Sequence, residues 1–177
     1  AAYEKTIRTV LSLLSEMNMR LPPPAIAQRI HRAMREITGI SDPFAQEKGE
    51  YNRFALSLIP EIRERHQDDP DLFLKTLRLS IAGNIIDSGK NPDIRHADVL
   101  RSRDRSMKTK LDMKAADRLR RAINGSTSIL YLGDNAGEIV FDRLFIECMP
   151  HEKVTYVVRG APVINDVTLK DAREVKM

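Results

Sequence analysis

Two Asn/Asp pairs are the residues best suited to chemistry. Asp134 and Asn135 lie in YLGDNAGE, between Gly133 and Gly137, and Asn165 and Asp166 lie in RGAPVINDVT. Carboxylate and amide oxygens are hard ligands of the kind that suit magnesium or manganese. Asn and Asp are also ordinary helix N-cap residues, so the local sequence around Asp134 leaves capping and ligation open. The second pair shifts the balance, because two such pairs converging at strand ends are harder to explain by capping. A divalent cation held by Asp134 and Asp166 would offset their mutual repulsion. A phosphate could then bridge that cation and the N–H groups of the helix beginning near Ala136, with the metal polarising the phosphoryl group and activating a water. Arg159, at a strand end, is placed to clamp phosphate oxygens.

The elements that must position these residues follow from the pattern on either side. SILYL (128–132) and VTYVVR (154–159) are short runs rich in β-branched and aromatic residues, separated by an amphipathic helical stretch carrying Ile139, Val140, Leu144 and Phe145. That is a βαβ unit, so the strands are expected to be parallel. Neighbouring parallel strands lie ~5 Å apart, and ligands in open α/β sheets bind beyond the strands' carboxyl ends, which lets both loops share one site. Before Gly125 the texture is helical. Helices are predicted from Tyr3 to about Asn18, from Pro24 to Gly39, over 48–65, over 70–87 and from about Leu111 to Ile123, with LPPPA and ITGISDPF as breaks. The fold class is therefore α/β. It comprises an all-helical domain over 1–124 and an incomplete α/β unit over 125–177, because two parallel strands rarely stand alone.

Composition narrows the functional classes. Hydrophobic residues make up 42% and charged residues 31% of the 177, which permits a packed core. With nine Phe and Tyr and no Trp, a surface that stacks bases or sugars is disfavoured. The formal charge of +4 is concentrated in RSRDRSMKTK (101–110) and DRLRR. Acids interspersed among Arg101, Arg103, Arg105, Lys108 and Lys110 argue against nucleic-acid binding through that run. Cys148 is the single cysteine, which rules out an intrachain disulfide or a CxxC site and suits a reducing cytoplasm. No apolar window is long enough for a membrane helix. GxGxxG, GK[ST] and GxSxG are absent, and His31, His66, His96 and His151 form no ligand spacing. Asn84 and Asp87 share a helix face and read as a cap or as a wall of the site. Asp42 and Asn52 read as turn and helix-surface residues.

The ordered set DPF–K–YN from Asp42, AGNIID from Ala82, GDNAGEIVFD from Gly133 and RGAPVINDVT from Arg159 closely resembles the DUF89 family of metal-dependent damage-control phosphatases. The resemblance runs over nearly the whole chain. It implies an all-helical N-terminal domain packed on a Rossmann-like α/β/α domain with parallel strands. It also implies one divalent metal ion (manganese, cobalt, nickel or magnesium) at the strand ends. The family's ligands fall on Asp134, Asn135 and Asp166, and its GN..D helix falls on Gly83, Asn84 and Asp87, which would line the cavity. Family members of this compact type have further strands, and a loop carrying lysine and asparagine, after the second motif. This chain is accordingly expected to be a fragment of a longer protein.

Together these readings predict a cytoplasmic, metal-dependent phosphatase acting on phosphomonoesters of small metabolites such as sugar phosphates. The catalytic and metal-holding set is Asp134, Asn135 and Asp166. Asn84, Ala136, Gly137, Glu138 and Arg159 are the substrate-side residues, with Glu138 also a candidate general base. The alternative is a non-catalytic module that binds a phosphometabolite or nucleotide through the same loops. An unpaired sheet edge would also invite association with a second copy.

Overall fold

The computed structural model describes residues 2–66, 70–86 and 111–177. The basic run 101–110 and Asp87 lie outside the described residues. The described chain is mostly helical, with one two-stranded parallel sheet. Helices α1 (Ala2–Ser15), α2 (Pro23–Thr38), α3 (Ala45–His66), α4 (Leu72–Ile86) and α5 (Met113–Gly125) precede β1 (Ile129–Leu132). Then come α6 (Glu138–Ile146), a 3-10 turn at His151–Lys153, β2 (Val154–Val157) and α7 (Leu169–Glu174).

Local chemistry sets most of the helix ends. Helix α2 starts with Pro23 and Pro24 in its first turn, where a missing N–H costs nothing. It stops at Gly39, whose φ of 71° is left-handed and whose N–H returns to the Arg35 carbonyl at 2.9 Å. Helix α5 is capped by Asp112, which accepts from Lys114 N at 2.9 Å and Ala115 N at 3.1 Å. Helix α3 begins three residues before its predicted start because the Asp42 side chain accepts from Phe44 N at 3.0 Å and nucleates the turn. It then runs through Pro60.

The two strands pair in the register Ile129–Val154 to Leu132–Val157. Ile129, Tyr131 and Val154 pack on one side against Phe145, Met149, Ala116 and Ile123. The opposite face leaves Leu130 71% and Leu132 74% exposed. Helix α6 departs from the amphipathic stretch expected of it. It has nine residues, and Ile139, Val140, Phe141, Asp142, Leu144, Phe145 and Ile146 are all buried. It runs through the centre of the main core, where Ile139, Val140, Phe141 and Leu144 meet Ala55, Leu58, Ile59 and Ile62 of α3 and Leu79 of α4. Val167, Ala172 and Val175 close the same cluster from the other side. Residues on both sides of position 125 therefore share one core. No described helix is long and apolar enough to cross a membrane.

Candidate active site at the strand ends

The loops after β1 and β2 are joined to each other by main-chain hydrogen bonds. Gly133 N–H donates to the Val157 carbonyl at 2.9 Å, Val167 N–H to Asp134 at 2.7 Å, and Ala136 N–H to Asn165 at 2.9 Å. Asn135 and Asp166 form an antiparallel bridge, and Arg159 pairs with Thr168. The second loop turns back on itself through Ile164, whose φ of 47° is unusual for a β-branched residue, with Asp166 N–H on the Val163 carbonyl at 3.0 Å. A β-branched side chain held there costs on the order of 1–3 kcal/mol, which the surrounding pairing must offset. The outcome is that Asp134, Asn135 and Asp166 lie side by side.

Two glycines make this junction possible for different reasons. A Cβ on Gly133 would lie 2.2 Å from the Tyr156 hydroxyl oxygen, so the position is closed to any side chain while that ring stays in place. Gly137 has a φ of 83°, and a Cβ there would also press on Tyr51 at 3.3 Å.

Asn135 is buried and donates its amide to Asp134 Oδ2 at 3.1 Å, with Glu138 Oε2 at 3.5 Å. Arg159 Nε donates to Asp166 Oδ2 at 2.6 Å. Burial raises the Asp166 carboxyl above its ordinary range; Arg159 works against that shift, while the negative Asp134 adds to it. His31 of α2 lies close enough to feel the Asp166 charge, yet burial and Arg35 hold its pKa below the usual histidine value. Asp134, Arg159 and Asp166 line a cavity of about 700 Å³, walled opposite by Pro22–Ala25, Ala27 and Gln28 at the start of α2.

Two cavity-lining carboxylates with a buried amide bonded to one of them fit a hard divalent cation. No group of three or more His, Cys, Asp or Glu side chains able to hold a metal occurs among the described residues, so the set reaches three only with the Asn135 amide. The expected phosphate donors fare differently. Ala136 N–H is given to Asn165, Gly137 N–H is given to Asn52 Oδ1 at 2.8 Å, and both residues are buried. An anion could use these N–H groups only by displacing bonds that hold the loops together. Arg159 does face the cavity, but its Nε is engaged by Asp166. Asn84 belongs to the last turn of α4, and its side chain lies outside the described residues.

Sequence reasoning passed over the residues behind the loops. Asn52, read as a helix-surface residue, is fully buried, and Asp42, read as a turn residue, pairs with the buried Lys48 at 2.6 Å. Lys48 also reaches Asp171 at 2.8 Å, and Asp171 closes a capping box with Thr168 at the start of α7. Burial alone would lower the lysine's pKa, but its bonds to Asp171 and Asp42 prevail and raise it. Asp142 on α6 was likewise unremarked. It is buried beneath the strands and accepts hydrogen bonds from Ser80 Oγ at 2.7 Å, Tyr131 OH at 2.7 Å and Tyr156 OH at 3.1 Å. The available signal was an acid set between the apolar IVF and LFI of EIVFDRLFI, and a Lys and an Asn one turn apart on a helix that must bury one face.

Fold and site together define a helical protein with two cavity-lining aspartates and an amide at the ends of parallel strands. The sequence profile of the damage-control phosphatase ARMT1-like domain matches residues 1–176, and the chain belongs to that family. It is 36% identical over 170 residues to a damage-control phosphatase of Archaeoglobus fulgidus, covering 92% of this chain and 57% of the relative. An uncharacterised protein of Methanocaldococcus jannaschii is 31% identical over 186 residues, covering 98% and 59% of the two chains. The crystal structure of a DUF89 family protein from Pyrococcus horikoshii superposes with a TM-score of 0.76 at 25% identity, over 99% of this chain and 61% of that one. The chain thus spans less than two thirds of the length of each of these relatives.

Proposed function

We propose that this chain carries the metal-binding part of a phosphatase acting on phosphomonoesters of small metabolites, sugar phosphates among them. The observation that carries the reading is the hydrogen-bonded junction of the two loops, which sets Asp134 and Asp166 on one cavity with the buried Asn135 amide beside them. Family membership supports a phosphatase-like activity. Asp134, Asn135 and Asp166 would hold one divalent ion, with manganese, cobalt, nickel and magnesium all compatible with oxygen ligands. When bound, that ion would supply charge to polarise a phosphoryl group and lower the pKa of a water.

The chain's own residues do the rest. Arg159 orients the phosphoryl oxygens from the cavity rim once it exchanges its bond to Asp166 for one to substrate. Glu138 is positioned by Asn135 and is the candidate proton acceptor. The apolar start of α2 keeps water off the opposite wall. The two strands are the opening part of a Rossmann-like α/β/α unit, and the helices of 1–124 pack on it through the shared core around α6.

Manganese titration of the chain and of Asp134→Ala tests the metal site, and phosphate release from a sugar-phosphate panel by the full-length protein tests turnover. The expected result is binding by the parent chain that the variant loses, with metal-dependent release by the full-length protein. Unchanged manganese affinity in Asp134→Ala would overturn the assignment. Metal and ligand binding without any phosphate release would instead establish a phosphometabolite-binding module.

A further inference from the structure

The two loops of the site are held from behind by a single face of α3. Asn52 Oδ1 accepts from Gly137 N–H in the first loop at 2.8 Å. One turn earlier on the same helix, Lys48 Nζ reaches Asp171 at 2.8 Å, just past the second loop, and Asp42 at 2.6 Å. Asp171 in turn accepts from Thr168 N at 2.8 Å and Thr168 Oγ1 at 2.6 Å, and Thr168 is bridged to Arg159. Both α3 side chains are essentially excluded from solvent, Lys48 being 1% and Asn52 0% exposed.

Packing alone does not account for either residue. Asn52 Nδ2 finds no hydrogen-bond partner among the described residues, and a buried lysine needs two carboxylates to be tolerated. An apolar side chain would fill either space without those demands. What the two polar groups have in common is their destination, since each fixes a different loop of the same junction.

We propose that Lys48 and Asn52 are positioning residues that hold the two strand-end loops in the register at which Asp134 and Asp166 share one cavity. Asn52 sets the height of the Gly137 turn, and hence where Asn135 meets Asp166. Lys48 sets the start of α7, and hence the path of the chain from Arg159 to Thr168. Neither touches the cavity. This inference rests on the metal-site reading for its functional meaning, but the loop register can be measured without metal.

The test compares the chain with Asn52→Ala and Asn52→Asp, the latter keeping an acceptor oxygen for Gly137. Amide hydrogen exchange at Ala136 and Val167 reports the register directly, because both N–H groups bond across the junction. Exchange at Leu144 and Ile146, deep in α6, controls for general loosening. In N52A the junction amides are expected to lose protection while the α6 amides keep theirs, and N52D is expected to restore it. Manganese affinity should fall about tenfold or more in N52A, the range seen when groups that orient metal ligands are removed. Unchanged protection at Ala136 and Val167, or unchanged manganese affinity, overturns the proposal. A parent chain that binds no manganese counts against the metal reading, and the exchange comparison then decides this one alone. If N52A does not fold, Asn52→Ser is the milder variant, and the same two readouts apply.

Discussion

Gly133→Ala is expected to destabilise the chain by about 3 kcal/mol or more, although it adds a single methyl group. Overpacking a core by a methylene or two usually costs ~1–3 kcal/mol, because neighbours yield by small shifts. Here the new carbon would lie 2.2 Å from the Tyr156 hydroxyl oxygen and 2.3 Å from the ring carbon that bears it, so a shift of a few tenths of an ångström does not suffice. Tyr156 stacks on Tyr131 with centroids 5.5 Å apart and donates to Asp142 at 3.1 Å. Moving it forfeits a hydrogen bond to a carboxylate, worth ~1.5–3 kcal/mol, together with ring burial. The alternative is to move β1 away from β2 at Gly133, breaking its bond to Val157 and with it the loop junction. Urea unfolding of G133A, Tyr156→Ala and the double variant measures the effect. The double variant should be less destabilised than the sum of the singles, because the truncated ring leaves room for the methyl group. A stability within ~0.5 kcal/mol of the parent in G133A would rule out the close approach.

How far the sequence disclosed this arrangement depends on whether a residue's role was local. The strands at 129–132 and 154–157 were legible because β-branched and aromatic runs bounded by glycine and polar turns have few other uses. The pairing of Asp134 and Asn135 with Asp166 was legible for the same reason, since a βαβ unit brings consecutive strand ends together. The fate of the Ala136 and Gly137 N–H groups was not. Their acceptors, Asn165 and Asn52, arrive from another loop and another helix, and nothing in GDNAGE reveals that its donors are already used. Helix α6 misled in a related way. Glu138, Asp142 and Arg143 look like a solvent face, yet Asp142 is sealed under two tyrosines and Arg143 Nη1 donates to the Val175 carbonyl. Charge on a helix predicts exposure only when nothing beyond the helix neutralises or satisfies it.

Asp142→Leu and Asp142→Asn should separate the two things that this carboxylate does. Leucine removes the acceptor for three buried hydroxyls, those of Ser80, Tyr131 and Tyr156. Ser80 and Tyr131 retain each other at 3.0 Å, so the expected cost is about 3 kcal/mol rather than the full sum of ~1–3 kcal/mol for every group left unpaired. Asparagine keeps one acceptor oxygen and nearly the same volume, and should cost less. The pH dependence carries the stronger test. Burial raises the Asp142 pKa, the three hydroxyl bonds oppose this, and Asp134 adds to it, leaving a net rise above the ordinary 3.8. Between 3.8 and the raised value the folded chain therefore binds more protons at this site than the unfolded chain. Its contribution to stability consequently falls as pH rises through that window. Asp171 has the opposite sign. Burial would raise it, but Lys48 and Thr168 hold it below 3.8, so the stability it contributes is lost only as pH falls below that value. The two windows lie on either side of 3.8, and a comparison of parent with D142N above it isolates Asp142. The stability advantage of the parent over D142N should be largest near the ordinary carboxylate value of 3.8 and shrink as pH rises through the raised one. A difference that stays flat across that range would mean that the buried carboxylate is no harder to ionise than one in water, and that the tyrosine hydroxyls fully replace its lost solvent.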